Sequence, residues 1–451
     1  MRTNNTSPAE LGTEKIGVLL KQYAVPAIIA MTASSLYNIT DSIFIGHGVG
    51  ELALAGLTIS FPLMNLAAAF GSLVGVGGAT LLSIRMGQKD YDTANTILGN
   101  VLILNLIVGI AFSIATLLFL DPILRFFGAG TTVLPYAREY MEVLLTGNVF
   151  THLYMGLNTL LRSSGNPEKS MYATIFTVII NAVLNTIFIF VFNWGIRGAA
   201  LATIMAQAIV LIRQFRFFNN KNYFIHFKKG IFKLKKKIVS DMLSIGMAPF
   251  LLNAASCIIV IVLNQGFIRH GGDLAVAAYG IVNRVAFLFL MIVLGFTQGM
   301  QPIAGYNFGA KYYTRVTQVL KKTIMWATVV MTSGFILIEL FPNTVVSIFT
   351  TNEQLIAMSA HGLRIVFLCF PLVGFQVVTS NFFQSIGMSG KAIFMSLSRQ
   401  VFFLLPCLFI LPHYFALDGI WYSLPLSDGI ATITAFVLLL LQFKKFKKMN
   451  S

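Results

Sequence analysis

Long apolar segments separated by short polar stretches follow one another along the whole chain. A membrane-spanning helix needs roughly 20 apolar residues, and runs of that size recur from end to end. The pattern predicts twelve spans, numbered 1 to 12 in chain order, at residues 16–44, 53–84, 93–120, 134–164, 168–193, 196–218, 238–268, 275–306, 315–341, 354–386, 390–412 and 417–443. The predicted fold class is all-α, a polytopic membrane protein.

The composition agrees with lipid as the solvent. Only 11% of the residues are charged, against about 25% in soluble domains. Residues 1–15 are polar and the first apolar segment is too long for a signal-peptide core, so we expect span 1 to be retained. Cys257, Cys369 and Cys407 fall inside apolar spans, where we expect free thiols and neither a disulfide framework nor a metal site.

The net charge of +16 is concentrated beside the spans. Residues 213–237 hold nine Lys/Arg and no acid, and residues 444–448 hold four Lys. Basic residues that flank spans mark the cytoplasmic side and attract anionic lipid. We therefore predict that both termini and a 219–237 linker are cytoplasmic, and we expect no nucleic acid among the partners.

The two halves of the chain repeat one another at a constant offset of 222 residues. Three loop segments carry the match: residues 50–55 with 272–277, 87–91 with 309–313, and 163–165 with 385–387. Six spans per copy is an even number, so both copies enter the membrane from the same side, with the substrate path expected between them. The predicted parts are an N-terminal lobe (1–218), the linker (219–237), a C-terminal lobe (238–443) and a basic tail (444–451).

Asp41 is the most informative acid, because intramembrane ionisable residues are costly and usually functional. It lies in span 1 on one helix face with Ser34 and Asn38. The offset places Leu263 at the corresponding position of the second copy, so the duplicated fold does not require this carboxylate. Asp41 could bind a proton or contribute, with amide and hydroxyl oxygens, to a site for a hard monovalent cation such as Na⁺; no other metal site is expected.

Neighbouring spans carry polar faces that predict a hydrated pocket around this carboxylate. Their members are Thr174, Thr177, Asn181 and Asn185 in span 5, Thr203 and Gln207 in span 6, and Asn148, His152 and Asn158 in span 4. For Asn181 and Asn185, plain interhelical hydrogen bonding is an equally acceptable interpretation. His152 is expected to be an ordinary buried histidine.

Further intramembrane charges are Arg284 in span 8, Arg399 in span 11 and Asp428 in span 12. The sequence does not identify the partners of these three residues. A counter-charge or packing role is at least as well supported as a contact with substrate. The sequence has no Walker A, GxSxG or HExxH motif, so we expect neither an ATP-driven pump nor an enzyme.

The sequence resembles the MATE family of multidrug and toxic-compound extrusion transporters, in the branch of DinF-like and MepA-like bacterial proteins. The resemblance covers nearly the whole chain. It is carried by residues 37–46 (YNITDSIFIG), 278–281 (AYGI), 298–310 (QGMQPIAGYNFGA), 383–387 (FQSIG) and 398–400 (SRQ).

The resemblance implies two six-helix lobes in a bacterial inner membrane that export amphipathic, often cationic compounds by alternating access. Export would be driven by inward H⁺ or Na⁺, without a cofactor, in a protein expected to be monomeric. Asp41 matches the family's carboxylate in the first helix, and Asn181, Asn185 and Thr203 match positions around it. Tyr37 and Asn158 match pocket-lining positions, and we add Asn38 and Gln207 to the predicted substrate pocket.

One departure affects the coupling ion. Some relatives have Asp where this chain has Asn185, which leaves Asp41 as the one obvious carboxylate of the N-terminal lobe. The carboxylates that other MATE branches place in the C-terminal lobe are also missing from spans 7 and 10. Alternatives to a cation-coupled exporter are a flippase for a lipid-linked or amphipathic metabolite, a channel, and a non-transporting scaffold or receptor.

Overall fold

The computed structural model describes residues 9–450, and within that range it contains helices and no strand. The helices are α1 Glu10–Thr13, α2 Ile16–Gly48, α3 Glu51–Gly87, α4 Tyr91–Leu118, α5 Leu120–Phe126, α6 Leu134–Thr146, α7 Asn148–Ser163, α8 Pro167–Asn185, α9 Gly195–Asn219, α10 Lys236–Gly309, α11 Tyr313–Leu340, α12 Pro342–Ser347, α13 Glu353–Phe367, α14 Phe370–Ser385, α15 Ser389–Leu397 and α16 Leu405–Asn450. Two π-helical segments, Thr186–Val191 and Ser398–Leu404, follow α8 and α15.

Among the described helices, eight are long and apolar enough to cross a membrane, or nine if the bent pair α13–α14 is one span. Two helices continue from one predicted span into the next, which explains most of the difference from the twelve spans that the sequence predicts. Helices α10 and α16 each join two predicted spans, at Gly272 (φ 67°) and Ala416 (φ 49°), where the backbone leaves the helical region. The remaining span is the pair α6–α7, interrupted at Gly147. The predicted all-α architecture of twelve spans is confirmed.

The backbone also repeats at the offset of 222 residues. Helix α11 reproduces the bounds of α4, and α14 reproduces those of α7, residue for residue. Positive φ angles recur at the same offset in the pairs Gly50 and Gly272, Lys89 and Lys311, and Gly165 and Gly387. The loops that carry the sequence match are therefore the loops that need an unusual backbone conformation.

By internal contacts the chain forms two compact units. Within residues 9–450, the first comprises residues 9–14 together with Ile29–Phe250, and the second comprises Lys15–Ile28 together with residues 251–450. The division falls inside α2, just after Pro26, so the first span contributes to both units. The lobe limits at residues 218, 238 and 443 stay a proposal based on the repeat.

Within the first unit, α3 and the start of α10 approach closely at two glycines. A Cβ at Gly77 would meet the carbonyl of Met242, and a Cβ at Gly246 would meet the carbonyl of Leu73. Small residues at such crossings let backbones come together, which is the usual way that membrane helices gain packing energy. This contact ties the start of α10 to the first unit.

The basic linker is held against α4 by two asparagines. The Asn95 side chain donates to the carbonyl of Phe224 (3.3 Å) and accepts from the amide of His226 (2.8 Å). The Asn100 side chain donates to the carbonyls of Ile231 (3.2 Å) and Lys233 (3.1 Å) and accepts from the amide of Lys235 (3.0 Å). These bonds satisfy backbone groups that irregular chain leaves open. Hydropathy alone did not indicate this attachment.

We expect Asn100→Leu to release the linker while leaving the helices in place. The substitution removes three hydrogen bonds to the linker backbone, each of which contributes about 1 kcal/mol. Cleavage of the purified protein by trypsin within residues 228–237 should then become several-fold faster, as local opening becomes easier. Asn219→Leu, an exposed position at the end of α9, is the control. Equal cleavage rates in Asn100→Leu and wild type would show that these bonds do not hold the linker.

The predicted tail is the end of a helix. Helix α16 continues to Asn450, and Phe446 is only 2% exposed. Its ring stacks on Tyr313 with 5.3 Å between centroids. Up to Asn450, the tail is therefore part of the second unit, because an apolar residue among its lysines packs inward. Ser451 lies outside the described residues.

Candidate ion-coupling site

Three helices of the first unit bring the polar residues of the predicted pocket together. Helix α2 carries Tyr37 and Asp41, α8 ends with Asn181 and Asn185, and α9 carries Thr203. Residues four apart share one helix face, which explains why the side chains on each helix point the same way. Small residues on α6 and α9 that are fully buried, Ala137, Ala199 and Ala200, allow the close packing around the site.

A continuous series of hydrogen bonds joins these side chains. Asn185 Nδ2 donates to Asp41 Oδ1 at 2.7 Å and to Asn181 Oδ1 at 3.0 Å. Asn181 Nδ2 donates to Thr203 Oγ1 at 3.3 Å, and the Tyr37 hydroxyl bonds to the same Thr203 oxygen at 2.7 Å. Asp41 is only 4% exposed, so its carboxylate accepts from the Asn185 amide in a buried setting.

The direction of the amide bonds leaves one oxygen available. Both N–H groups of Asn185 are used as donors, and its Oδ1 is buried without a hydrogen-bond partner among residues 9–450. A buried unpaired acceptor is uncommon and needs an explanation. Carboxylate and amide oxygens together suit a proton or a hard monovalent cation. The donor set therefore fits the ions that the sequence suggested.

Tyr140 on α6 is a neighbour that sequence patterns did not indicate. Its hydroxyl is buried and interacts electrostatically with Asp41, although it lies outside ordinary hydrogen-bond geometry. The residues three and four positions away on α6 are apolar or aromatic, so no polar stripe marks it. It places a second polar group beside the carboxylate.

A π-helical segment begins directly after Asn185. In Thr186–Val191 the backbone widens, and the amide of Phe192 bonds to the carbonyl of Ile187, five residues earlier. Such segments are rare and are frequent at functional sites. Here the segment ends the regular part of α8 at the residue that contacts Asp41.

Comparisons with known proteins decide the family. A family model described as MatE matches residues 26–187 and 245–410, one match in each repeat. The chain belongs to the MatE family. Multidrug export protein MepA from Staphylococcus haemolyticus is 26% identical over 419 residues, which cover 93% of this chain and 92% of that protein.

Solved structures of MatE proteins share the fold. The multidrug transporter DinF-BH, solved in complex with a small molecule, is 34% identical and has a TM-score of 0.88, covering 95% of this chain and 96% of that one. A multidrug resistance MATE transporter of the MOP superfamily, solved in an outward-facing conformation, is 25% identical with a TM-score of 0.92 and covers 98% and 99%. The chain is thus a multi-pass membrane protein of a transporter family.

Within this MatE fold, the residues predicted to line a substrate pocket do not all join the Asp41 cluster. Tyr37 does, since its hydroxyl bonds to Thr203. Asn38 is exposed, and its amide bonds back to the carbonyl of Ser34 on its own helix. Asn158 bonds to Thr174 at 3.1 Å, and Gln207 bonds to Thr151. The substrate-pocket role of these four residues stays a prediction.

The secondary charges have different surroundings. Arg399 Nε donates to Asp428 Oδ1 at 2.6 Å, an ion pair inside the second unit. Arg284 is exposed on α10. His152 is fully buried, and one ring nitrogen bonds to the carbonyl of Ala67 at 3.0 Å, as expected of a packed histidine.

Clusters of metal-binding side chains and the state of the cysteines can be described for residues 9–450 of this MatE chain. No group of three or more His, Cys, Asp or Glu side chains in that range could hold a metal ion. The three cysteines are free. At the position that corresponds to Asp41, Leu263 is a buried apolar residue.

Proposed function

We propose that the protein exports amphipathic, often cationic compounds across a bacterial inner membrane by alternating access, driven by inward H⁺ or Na⁺. Support comes from MatE relatives that are named multidrug exporters or multidrug transporters. The basic linker and the basic end of α16 favour an arrangement with both termini in the cytoplasm. Labelling, from outside intact cells, of a cysteine introduced into the linker would contradict that orientation.

The observation that carries the proposal is the buried hydrogen bond between Asn185 and Asp41. A charged carboxylate in a dry site costs free energy unless it is paired or loses its charge. Neutral amide and hydroxyl groups surround it, and no ion pair to Asp41 occurs among the described residues. Binding of H⁺ or Na⁺ would remove the uncompensated charge. The site is therefore suited to an ion that binds and is released again.

The proposed cycle follows from that charge. An ion taken up from outside neutralises Asp41, so a cationic compound binds less well and leaves outward. Release of the ion into the cytoplasm restores the negative charge and the affinity. Each charge that crosses the full potential contributes about 2.3 kcal/mol per 100 mV, which is enough to bias the two states. Asn181, Asn185 and Thr203 would orient the carboxylate and supply oxygens for the ion.

The test is efflux from liposomes that contain only the purified protein. Vesicles loaded with a cationic dye receive a pH gradient or a Na⁺ gradient separately, and the dye is followed by fluorescence. Efflux that depends on one gradient supports the proposal and identifies the ion. Dye movement that is the same with and without either gradient would indicate a channel or passive leak.

We expect Asn185→Asp to move the pH dependence of efflux to higher pH. The new carboxylate would lie within hydrogen-bond distance of Asp41, and two such groups share one proton because both cannot be charged at once. The measurement is dye efflux at a series of external pH values, at matched protein content. Asn343→Asp, which adds an exposed acid to α12, is the control and should leave the midpoint in place. An unchanged midpoint in Asn185→Asp would remove Asn185 from the coupling site.

A further inference from the structure

A cavity lies at the end of the first unit that carries the linker, away from Asp41. Its volume is about 350 Å³, and it is formed where α7, α8 and α9 meet the start of the linker. The lining residues are Leu161, Lys169, Tyr172, Ala173, Val210, Arg213, Gln214, Arg216, Phe217, Asn220 and Tyr223. Three of them are basic and none is acidic, so the cavity favours an anion.

One lining residue has a buried side-chain amide whose hydrogen-bonding groups are not used within the described part of the chain. Gln214 on α9 is only 2% exposed, and neither its Nε2 nor its Oε1 has a hydrogen-bond partner among residues 9–450. Burial of an unpaired amide costs free energy. A glutamine side chain is long enough to turn toward solvent, so its burial without a hydrogen-bond partner needs an explanation. An amide that belongs to the lining of a basic cavity can donate to a phosphate oxygen.

Lys169 is positioned for the same purpose by aromatic rings. Its ammonium lies 4.3 Å from the Phe217 ring centroid and 4.2 Å from the Tyr223 ring centroid, and it donates to the Tyr223 hydroxyl at 2.6 Å. An ammonium has three N–H donors, so this bond leaves others for a ligand. The two rings hold the ammonium group inside the cavity and limit the movement of the lysine side chain.

The cavity continues onto an apolar surface. Arg213 lies over the Phe176 ring at 4.9 Å, and Tyr172 and Phe176 on α8 are exposed. Ile209 and Ile212, beside Arg213 on α9, are also exposed. In a membrane protein such side chains face lipid tails. A ligand with a phosphate head and apolar chains would match both parts, whereas a soluble phosphate would match only the first.

The repeat provides an internal comparison. Lys391 corresponds to Lys169, and its ammonium donates to Gln442 Oε1 at 2.8 Å. The second copy has Ala435 and Leu438 where the first copy has the two arginines of the cavity. The fold does not require an open basic cavity at this position.

We propose that this cavity binds the phosphodiester headgroup of an anionic phospholipid from the leaflet that borders the linker. Lys169, Arg213, Arg216 and Gln214 would hold the phosphate, and the acyl chains would lie along α8 and α9. Basic pockets between membrane helices on this side are suited to such headgroups. The bound lipid would tie α8 to α9 at the end opposite the Asp41 cluster.

The experiment uses the delipidated full-length protein in detergent and counts bound lipid by native mass spectrometry. Phosphatidylglycerol is titrated against phosphatidylcholine as the neutral-headgroup comparison, and inorganic phosphate is added as a competitor. The double variant Arg213→Gln/Arg216→Gln removes two exposed charges, which should weaken phosphatidylglycerol binding by about 30-fold. Lys229→Gln, an exposed linker position outside the cavity, removes one charge and should change it less than about twofold.

A second variant separates lipid binding from folding. Gln214→Leu removes a buried amide without a partner, so the lipid-free protein should be at least as stable as wild type, while phosphatidylglycerol binding weakens. The proposal is overturned if both lipids bind equally, if the double variant binds like wild type, or if millimolar phosphate displaces the lipid. Weaker binding in Gln214→Leu together with lower stability of the lipid-free protein would make Gln214 a packing residue and also count against the site.

Discussion

Asp41→Asn is expected to reduce gradient-driven dye efflux strongly while leaving the amount of folded protein unchanged. Asparagine has the shape of the protonated acid, and its oxygen can still accept from Asn185 Nδ2 in place of the carboxylate oxygen. The hydrogen bonds through Asn181 and Thr203 to Tyr37 need no change. The permanently neutral side chain cannot bind and release an ion.

The expected size of the effect follows from the coupling between ion and substrate. Coupling free energies between two ligands typically correspond to affinity changes of about 5- to 150-fold. Loss of the charge should reduce efflux under an imposed gradient by a factor in that range. Binding of a cationic dye should become independent of pH and of Na⁺, because the site no longer changes its charge.

The measurement is efflux from proteoliposomes at matched protein content, with size-exclusion profiles as the check on folding. Asp121→Asn is the control, since it removes a partly exposed carboxylate whose ion pair with Arg138 is at the surface and contributes little. Wild-type efflux by the Asp41→Asn variant would rule Asp41 out as the coupling residue. The Arg399–Asp428 pair would then be the next candidate.

The sequence located the site on individual helices but could not assemble it. Spacings of three and four residues identified the polar faces of α2 and α8, because helical periodicity is a local property. The bond between Asp41 and Asn185 joins residues 144 positions apart, and its direction depends on how the helices pack. Tyr140 has no periodic polar neighbours, so only packing reveals it.

Among the backbone features, too, some could be predicted from the sequence and others could not. The repeat was visible in sequence because its glycine and lysine loops need positive φ at fixed positions. The π-helical segments could not be anticipated, since no residue pattern in the sequence marks them. In each unit such a segment adjoins a buried carboxylate partner: Asn185 precedes the first, and Arg399 lies in the second.

The Arg399–Asp428 pair should show strong coupling in a double-mutant cycle. Asp428 is buried and its only ion pair among the described residues is with Arg399, at 2.6 Å. Removal of one partner leaves the other charge without compensation. Because Arg399 is about a third exposed, the expected cost of Arg399→Leu or Asp428→Leu is about 2–3 kcal/mol each, below the value for a fully buried pair.

The double variant Arg399→Leu/Asp428→Leu should recover much of that loss, since two apolar side chains leave no buried charge. The measurement is unfolding of the purified protein in mixed micelles for wild type, both single variants and the double variant. Arg138→Leu and Asp121→Leu, alone and together, repeat the cycle at a surface pair, where the coupling should be below about 1 kcal/mol. If the effects of Arg399→Leu and Asp428→Leu simply add, the bond between them does not stabilise the second unit. A large coupling energy together with unchanged gradient-driven efflux in the double variant would assign this pair to folding and leave Asp41 as the carboxylate of the ion cycle.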